Sequence, residues 1–252
     1  MTMRRKLVAG NIKMFLTVTA VGQLVREVQA GLNRRESADV AYFPPFTMLA
    51  DTGRLLAGGP IALGGQDLFW EDEGAFTGQV SARMLRDVGC RHVLIGHSER
   101  RQYFGETDES VRRKIVAALR HDLEPIVCIG ETRTERESGS TGEVLARQLD
   151  GATDGLDEAS LFRLIIAYEP VWAIGTGLTA TPEQAQEAHH LIRERLAARA
   201  PGLGEAVRIL YGGSVKSDNA SGLFAREGID GALVGGACLS PASFLGIIHA
   251  AG

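Results

Sequence analysis

The stretch AYEPVWAIGTG, residues 167–177, joins a short apolar run to a carboxylate and then to a glycine-containing loop. Glu169 closes the apolar run and is followed at once by Pro170, whose ring fixes φ. Gly175 and Gly177 lie at the other end, so the segment has a stiff start and a pliable end. Either this is an ordinary strand exit, or Glu169 is a base at the edge of a moving lid.

The run that ends at Glu169 is one of eight apolar runs that alternate with longer amphipathic segments. Several of them lack a polar alternation, as strands buried on both faces do. Eight such strands, each followed by a possible helix, within 252 residues predict an α/β fold, a single (β/α)₈ barrel in one domain over residues 1–252. The runs are KLVAG from Lys6, DVAYF from Asp39, IALGG from Ile61, HVLIG from His92, PIVCIG from Pro125, RLIIAYE from Arg163, VRILYGG from Val207 and DGALVGG from Asp230.

An open, doubly wound sheet is the structural rival. That fold usually carries a GxGxxG fingerprint after its first strand, and AGNIKM, residues 9–14, does not match it. The signals for helix ends agree with alternation of strands and helices. Residues 181–184 predict a helix start with a capping box and a proline in the first turn, and Pro201 with Gly202 should end that helix. Ser240 and Pro241 predict a second capped helix start.

Composition excludes several classes of protein. The formal charge is −4 and the arginines are scattered among glutamates, which is unlike a nucleic-acid-binding face. The three cysteines Cys90, Cys128 and Cys238 form no CxxC pair, so we expect no zinc site and no disulfide framework. The apolar N-terminal run is broken by Asn11 and Lys13, which disfavours a signal peptide, and no run is long enough for a bilayer. We expect a cytoplasmic protein that binds neither nucleic acid nor membrane.

Polar residues and glycines follow five of the predicted strands, where the active site of a barrel lies. Taken singly, each has a structural explanation: a surface lysine, a packed histidine, a helix-start carboxylate or turn glycines. Together they place a lysine, a histidine and a glutamate on one rim beside free backbone amides. We expect Asn11 and Lys13 to point the same way because they are two apart in an extended chain. The candidates are Asn11 and Lys13, then His97, Ser98 and Glu99, then Glu169, then Ser214, and finally Gly235 and Gly236.

The glycines near Ser214 and at Gly235 and Gly236 suggest the ligand. Glycine lets the backbone approach an anion closely, and amides at a helix start point outward. In (β/α)₈ barrels, the loops after strands seven and eight frequently form a phosphate-binding site. The pattern therefore predicts a small phosphorylated substrate, with Lys13 adding positive charge at the mouth.

Seven motifs occur along the chain in one order and cover nearly all of it. Two of them, GHSERR and AYEPVWAIGTG, are highly specific. In this pattern the chain closely resembles the triosephosphate isomerase family. The motifs are GNIKM, GAFTGQVS, GHSERRQYFGETDE, VCIGET, AYEPVWAIGTG, YGGSVK and GALVGGA.

The resemblance implies a role for each candidate. Glu169 would be the catalytic base and His97 the electrophile, while Asn11 and Lys13 would bind substrate. Glu99 would support Lys13, and Ser98 would hold the base when the site is open. The phosphate ligands would be Gly175, Ser214, Gly235 and Gly236. No cofactor and no metal is implied.

Physical chemistry agrees with these implied roles. A carboxylate removes a weakly acidic proton only if the enediolate is stabilised as it forms. A histidine at a helix N-terminus should stay neutral and donate one hydrogen bond. Residues 173–175 would be the tip of a lid that brings the Gly175 amide to the phosphate and shuts out water, which prevents phosphate elimination.

The chain departs from the family pattern at Ile12, Phe15 and Gln79, which fall where family members pack subunits together, and at Leu178 in the trailing hinge. The segment QDLFWEDEGAFTGQ, residues 66–79, resembles the family's protruding loop, whose tip near Thr77 enters a second subunit. Phe69, Trp70 and Phe76 would otherwise be exposed, so we predict a homodimer. The alternative is a loop folded back on its own barrel.

Two other functions stay open at this point. One is an isomerase of a four-carbon ketose phosphate on the same scaffold. The other is a non-catalytic barrel, which a missing base, electrophile or lysine would favour. Service in glycolysis, in gluconeogenesis or in a carbon-fixation cycle is equally open.

Overall fold

A computed structural model describes residues 4–32, 37–175 and 178–252. Eight parallel strands close into a barrel in chain order, β1 beside β2 and so on round to β8 beside β1. The predicted fold class is confirmed. The strands are β1 Leu7–Asn11, β2 Asp39–Phe43, β3 Ile61–Gly65, β4 His92–Ile95, β5 Glu124–Ile129, β6 Ile165–Tyr168, β7 Arg208–Tyr211 and β8 Gly231–Val234.

The strands are buried on both faces, which explains their missing alternation. On β5, Ile126 and Cys128 point into the barrel, where they join an inner cluster with residues such as Leu94 and Leu210. Val127 and Ile129 point outward and pack in a larger cluster beneath the helices. Each strand therefore contributes to two cores, and both faces need apolar side chains.

Helices surround the barrel, but their number differs from the prediction of one helix after each strand. The described residues contain twelve α-helices, because several connections are split. Gly105, in the left-handed region at φ 66°, ends α4 before the capping box of Thr107 starts α5. The helices are α1 Val18–Gly31, α2 Leu49–Leu56, α3 Ala82–Asp87, α4 Ser98–Phe104, α5 Asp108–Arg120, α6 Arg133–Glu137, α7 Thr141–Thr153, α8 Glu158–Leu161, α9 Pro182–Arg199, α10 Leu203–Ala206, α11 Ala220–Phe224 and α12 Pro241–Ala250.

Both predicted capped helix starts are confirmed. In α9, Thr181 and Gln184 form the reciprocal capping box, and the helix ends just before Pro201. In α12, the Ser240 side chain accepts a hydrogen bond from the Ser243 amide. These caps fix where each helix leaves the rim of the barrel. None of the helices in the described ranges is long and apolar enough to cross a membrane.

The loop of residues 66–79 lies partly on its own subunit. The Phe69 ring lies 4.2 Å from Trp70 and 4.6 Å from Phe76, and the Arg113 guanidinium lies 4.0 Å above Trp70. Phe69 and Trp70 are therefore half-buried, and of the three aromatics only Phe76 is exposed, at 42%. The expectation of three exposed aromatic rings was wrong for two of them.

The three positions expected at a subunit interface differ in their exposure. Ile12 is completely buried in the outer core of its own subunit. The expectation that Ile12 contacts a partner was therefore wrong, because its side chain is not at the surface. Phe15 and Gln79 are exposed, as an interface would require.

Candidate active site at the carboxyl ends of the strands

A cavity of about 380 Å³ opens at the carboxyl ends of the strands. It brings together eight of the ten residues predicted for the site, from five different loops. Ser98 and Glu99 lie beside it and act on residues in its wall. The lining residues are Asn11, Lys13, His97, Glu169, Ile174, Gly175, Gly212, Gly213, Ser214, Val215, Lys216, Leu233, Gly235, Gly236 and Ala237.

Asn11 and Lys13 reach the cavity through a turn. Asn11 ends β1, and its Oδ1 accepts a hydrogen bond of 3.0 Å from the Lys13 amide. Lys13 itself has φ 55°, so the expectation of an extended chain through these residues was wrong. Gln66 stabilises the turn by donating to the Lys13 carbonyl oxygen at 2.8 Å. A left-handed residue other than glycine is strained, and such strain persists where surrounding contacts hold it.

The Lys13 ammonium is held by Glu99, with Nζ 2.6 Å from Oε1. Glu99 lies in the first turn of α4 and is about two-fifths exposed. The pair fixes the position of the ammonium at the mouth of the cavity. It also partly neutralises the charge that Lys13 offers to an anion.

His97 is the N-cap residue of α4, and its ring orientation follows from that position. Nδ1 accepts a hydrogen bond of 3.2 Å from the Glu99 amide, so the ring proton lies on Nε2. Nε2 in turn lies 3.0 Å from Oε1 of Glu169. The hydrogen bonds thus describe a neutral imidazole that donates toward the cavity.

The pKa of His97 is set by opposing influences. Burial alone would lower the pKa of His97, but the adjacent carboxylate of Glu169, with Glu99, outweighs burial and raises it. The position of His97 at the N-terminus of α4 had suggested a lowered pKa for this residue. The raised pKa favours the imidazolium, whereas acceptance from the Glu99 amide requires Nδ1 to carry no proton.

Glu169 follows β6 and is almost fully buried, at 2% exposure. Its Oε2 accepts a hydrogen bond of 2.7 Å from the Ser98 backbone amide, at the start of α4. Burial would raise the pKa of this carboxyl, but His97, the Ser98 amide and Lys13 outweigh burial and lower it. The carboxylate is therefore ionised and held on His97 and Ser98.

Glycines directly after the neighbouring strands β5 and β7 make room for Glu169. A Cβ at Gly130 would lie 1.7 Å from the Glu169 carbonyl oxygen, and one at Gly212 would lie 2.9 Å from Glu169 Cγ. Neither glycine was predicted as part of the site. Gly212 belongs to the glycine pair of YGGS and Gly130 to the motif VCIGET, but neither had been assigned a role.

The far wall of the cavity is built almost without side chains. Gly212, Gly213 and Ser214 form it after β7, and Gly235 and Gly236 form it after β8. A short 3₁₀ helix begins at Gly236, so its first amides are not used within the helix. This wall can hold an anion through backbone N–H groups. Lys216 also lines it and was not among the predicted residues.

The segment after Glu169 begins with a fixed turn. Pro170 has φ −64°, and residues 171–173 form a 3₁₀ helix. Trp172 Nε1 and the Tyr168 hydroxyl donate to the same oxygen of Glu131, at 2.9 and 3.0 Å. Glu131 is fully buried and was missed, because it lies on a different strand connection.

The tip of the segment borders the cavity. Ile174 and Gly175 line it, and Gly175 adopts φ 70°, which favours glycine. Thr176 and Gly177, predicted as the trailing end of the lid, lie outside the described residues. Among residues 4–32, 37–175 and 178–252, no group of three or more His, Cys, Asp or Glu side chains is placed to hold a metal ion.

A closed barrel with a buried carboxylate, a proton-donating imidazole and an amide-lined anion seat at its carboxyl ends defines a (β/α)₈-barrel enzyme. Comparison with known proteins narrows this class. The family model for triosephosphate isomerase matches residues 6–251. The chain therefore belongs to the triosephosphate isomerase family, and the resemblance seen in its motifs is confirmed.

Individual relatives agree along the full length. A triosephosphate isomerase of Citrifermentans bemidjiense is 53% identical, covering 98% of this chain and 99% of the relative. One from Moorella thermoacetica is 52% identical, with 98% and 99% covered. The crystal structure of triosephosphate isomerase from Bartonella henselae superposes with a TM-score of 0.89 at 40% identity, covering 98% of each chain.

Proposed function

We propose that the protein interconverts dihydroxyacetone phosphate and D-glyceraldehyde 3-phosphate by proton transfer through an enediolate. The observation that carries this proposal is the pairing of Glu169 with His97, Oε1 to Nε2 at 3.0 Å, across from a wall of glycine amides. A base and a proton donor therefore line one cavity, as general acid–base catalysis of a proton transfer requires.

Glu169 is the base. Its carboxylate leaves the Ser98 amide, removes the proton from C1 of the ketose and returns it to C2. The electron pair released at carbon moves onto the carbonyl oxygen, where the Nε2–H of His97 donates. His97 also carries the proton exchange between the two oxygens, while Ser98 holds the base before substrate arrives.

The groups around this pair stabilise the developing negative charge. Lys13, positioned by Glu99, and the amide of Asn11 bind the oxygens of the enediolate. Preorganised charges and donors of this kind supply much of an enzyme's rate enhancement. The reaction consumes and releases no net proton and involves no change of oxidation state of the substrate as a whole, so no cofactor or metal is invoked.

The phosphate lies against the amides of Ser214, Gly235 and Gly236. Closure of the segment after Pro170 brings the amide of Gly175 to the same group. The lid then excludes water from an intermediate that would otherwise lose its phosphate. Pro170 joins the lid to Glu169, so closure and movement of the base are coupled.

The function is tested by following glyceraldehyde 3-phosphate formation from dihydroxyacetone phosphate in a coupled assay. We expect turnover by the wild type and a loss of about 10³-fold or more in kcat for Glu169→Gln, which keeps the shape but cannot accept the proton. Circular dichroism should show an unchanged fold. Wild-type levels of turnover in Glu169→Gln would contradict the assigned base.

The same assay separates the alternatives. A tetrulose phosphate turned over faster than the triose phosphate would favour the four-carbon isomerase. No turnover of either substrate by a folded wild type would favour a non-catalytic barrel. The presence of base, electrophile and lysine in one cavity supports the isomerase.

We also propose that the chain forms a homodimer through the loop around Thr77. Apolar side chains are exposed in the turn after β1, with Met14 at 93% and Phe15 at 53%, and in the loop of residues 66–79, with Phe76 at 42%. A patch of this kind usually marks an interface. In a dimer the tip of the loop of residues 66–79 would cover the turn at Lys13 of the second subunit.

Analytical ultracentrifugation tests the dimer. We expect the wild type to sediment as a dimer at micromolar concentration and Thr77→Arg, which places a charge in the proposed contact, to sediment as a monomer. Arg133→Ala, a change at an exposed residue of α6 outside this loop, is the control and should stay dimeric. A strictly monomeric wild type would defeat the proposal.

The remaining proposals follow from the activity. The chain would act as one domain over residues 1–252 in the cytoplasm. The reversible triose phosphate reaction would serve glycolysis and gluconeogenesis.

A further inference from the structure

We propose that Lys216 is a further substrate-positioning residue, whose ammonium recruits and holds the phosphate dianion. This inference rests on the proposed function, because it concerns the phosphate end of the same cavity. Lys216 lies in the loop after β7, lines the cavity, and is exposed.

The backbone around Lys216 is held in place. Its amide donates to Oδ1 of Asn219 at 2.8 Å, and its carbonyl oxygen accepts from the Ala220 amide at 3.0 Å. Asn219 also donates to the Ser214 carbonyl oxygen at 3.2 Å. The loop that carries the phosphate ligand Ser214 thus fixes the Cα of Lys216 as well.

The side chain of Lys216, by contrast, forms no ion pair in the described residues. Throughout the described part of the chain, no carboxylate pairs with its ammonium, and the neighbouring Asp218 forms no ion pair with it. Two of the other three lysines are paired with carboxylates, and Lys6 lies at the opposite end of the barrel. Lys13 is paired with Glu99 at 2.6 Å, and Lys114 is buried against Asp67 and Glu106.

The sum of the side-chain charges around the cavity indicates the role of the unpaired Lys216 ammonium. A phosphate monoester carries a charge of roughly −1.5 to −2 at neutral pH. The cavity also presents the carboxylate of Glu169, and Glu99 offsets Lys13. Without Lys216 these side chains would carry a net negative charge, and the whole chain is at −4. The glycine amides orient the anion, whereas Lys216 brings the site to neutrality before the dianion enters.

An exposed ion pair of this kind contributes to binding rather than to chemistry, because it is present equally in the ground and transition states. We expect Lys216→Gln to raise KM for dihydroxyacetone phosphate by about threefold to tenfold with kcat nearly unchanged. The dissociation constant of inorganic phosphate, measured by calorimetry, should rise by a similar factor. The dependence of kcat/KM on ionic strength should become shallower.

Two variants and one substrate make the test specific. Lys216→Arg keeps the positive charge, so its KM should be close to that of the wild type. Lys6→Gln removes a positive charge at the opposite end of the barrel and should leave KM unchanged. Glyceraldehyde lacks the phosphate, so deuterium exchange at its C2 should proceed equally in the wild type and in Lys216→Gln. A structural role for Lys216 would instead slow both substrates.

The inference is overturned if Lys216→Gln binds phosphate and dihydroxyacetone phosphate within about twofold of the wild type, or if glyceraldehyde exchange falls in proportion. These outcomes are distinct from failure of the proposed function. An inactive wild type would refute the isomerase, and phosphate calorimetry on the same variants would still decide the role of Lys216.

Discussion

The position of Glu169 depends on neighbouring residues that have no proposed part in the reaction. Its carboxylate is held by two groups at the start of α4, while Gly130 lies against its backbone and Gly212 against its side chain. If Glu169 is the moving base proposed above, it needs free space on one side and a defined resting contact on the other. The glycine at 212 supplies the space, and the Ser98 amide supplies the contact.

Gly212→Ala should misplace the base without unfolding the barrel. The added Cβ would lie 2.9 Å from Glu169 Cγ and 3.0 Å from the Tyr168 carbonyl oxygen. We expect kcat/KM to fall by about 10- to 100-fold, since small displacements of a catalytic group have effects of this size. Steady-state kinetics and a thermal melt of the same sample measure both quantities.

Gly222→Ala is the matched control. Gly222 lies in α11, and a Cβ there meets nothing within 4 Å. Activity should be unchanged, with unfolding stabilised by about 0.5–1 kcal/mol. Equal activity of the two variants would show that the space beside Glu169 is unimportant.

Sequence was sufficient for residues whose position follows from the end of a strand. Asn11, His97 and Glu169 each lie at the end of an apolar run, so they were expected on one rim. Lys13 was placed correctly but for the wrong reason, because the turn that carries it depends on Gln66, far away in sequence. Glu131 was missed for the same reason, since its partners lie on a different connection.

At the scale of elements, α9 is the helix that follows the proposed lid. It begins with the reciprocal capping box of Thr181 and Gln184, at 3.2 and 3.0 Å. The cap satisfies amides that have no partner within the helix, and it fixes where the lid segment must end.

Thr181→Ala should lower the free energy of unfolding by about 1 kcal/mol, because one of these amides loses its acceptor. Urea denaturation followed by circular dichroism measures the change. Thr181→Ser keeps the oxygen and should recover most of the loss. An unfolding curve of Thr181→Ala that overlays the wild type would show that the capping box does not stabilise the helix.

Strands were easier to predict than helices. All eight strands lie where the apolar runs predicted, because burial on both faces leaves an unbroken apolar signal. The short helices α4, α6 and α8 were not foreseen as separate elements. Their boundaries depend on local caps such as Gly105 and Thr132, which carry little hydrophobic pattern.

The stability of the whole molecule should depend on pH through two buried histidines. Burial lowers the pKa of His92 and of His189 to about 4 in each case. The unfolded chain takes up these protons near pH 6.5, whereas the folded chain resists them until about pH 4. Acid therefore favours the unfolded state between these two values, and the stabilisation is fully present only above pH 6.5.

We expect each histidine to remove about 3 kcal/mol of unfolding free energy between pH 6.5 and 4. His189→Asn can still donate to the Gly228 carbonyl oxygen, the partner of Nδ1 at 3.0 Å, and should flatten this dependence. Urea denaturation at fixed protein concentration measures the slope. His190→Asn, at the exposed neighbouring histidine, is the control and should follow the wild type. A slope in His189→Asn equal to that of the wild type would contradict the account.

The central claim is that Glu169 moves from its resting contacts to a substrate whose phosphate lies on glycine amides. The most direct test is a crystal structure with a phosphorylated carboxylic acid that mimics the planar enediolate. We predict the Glu169 carboxylate at about 3 Å from the atoms that replace C1 and C2, with the phosphate on Ser214, Gly235 and Gly236. A closed lid with Glu169 still bound to the Ser98 amide, away from the ligand, would contradict the claim.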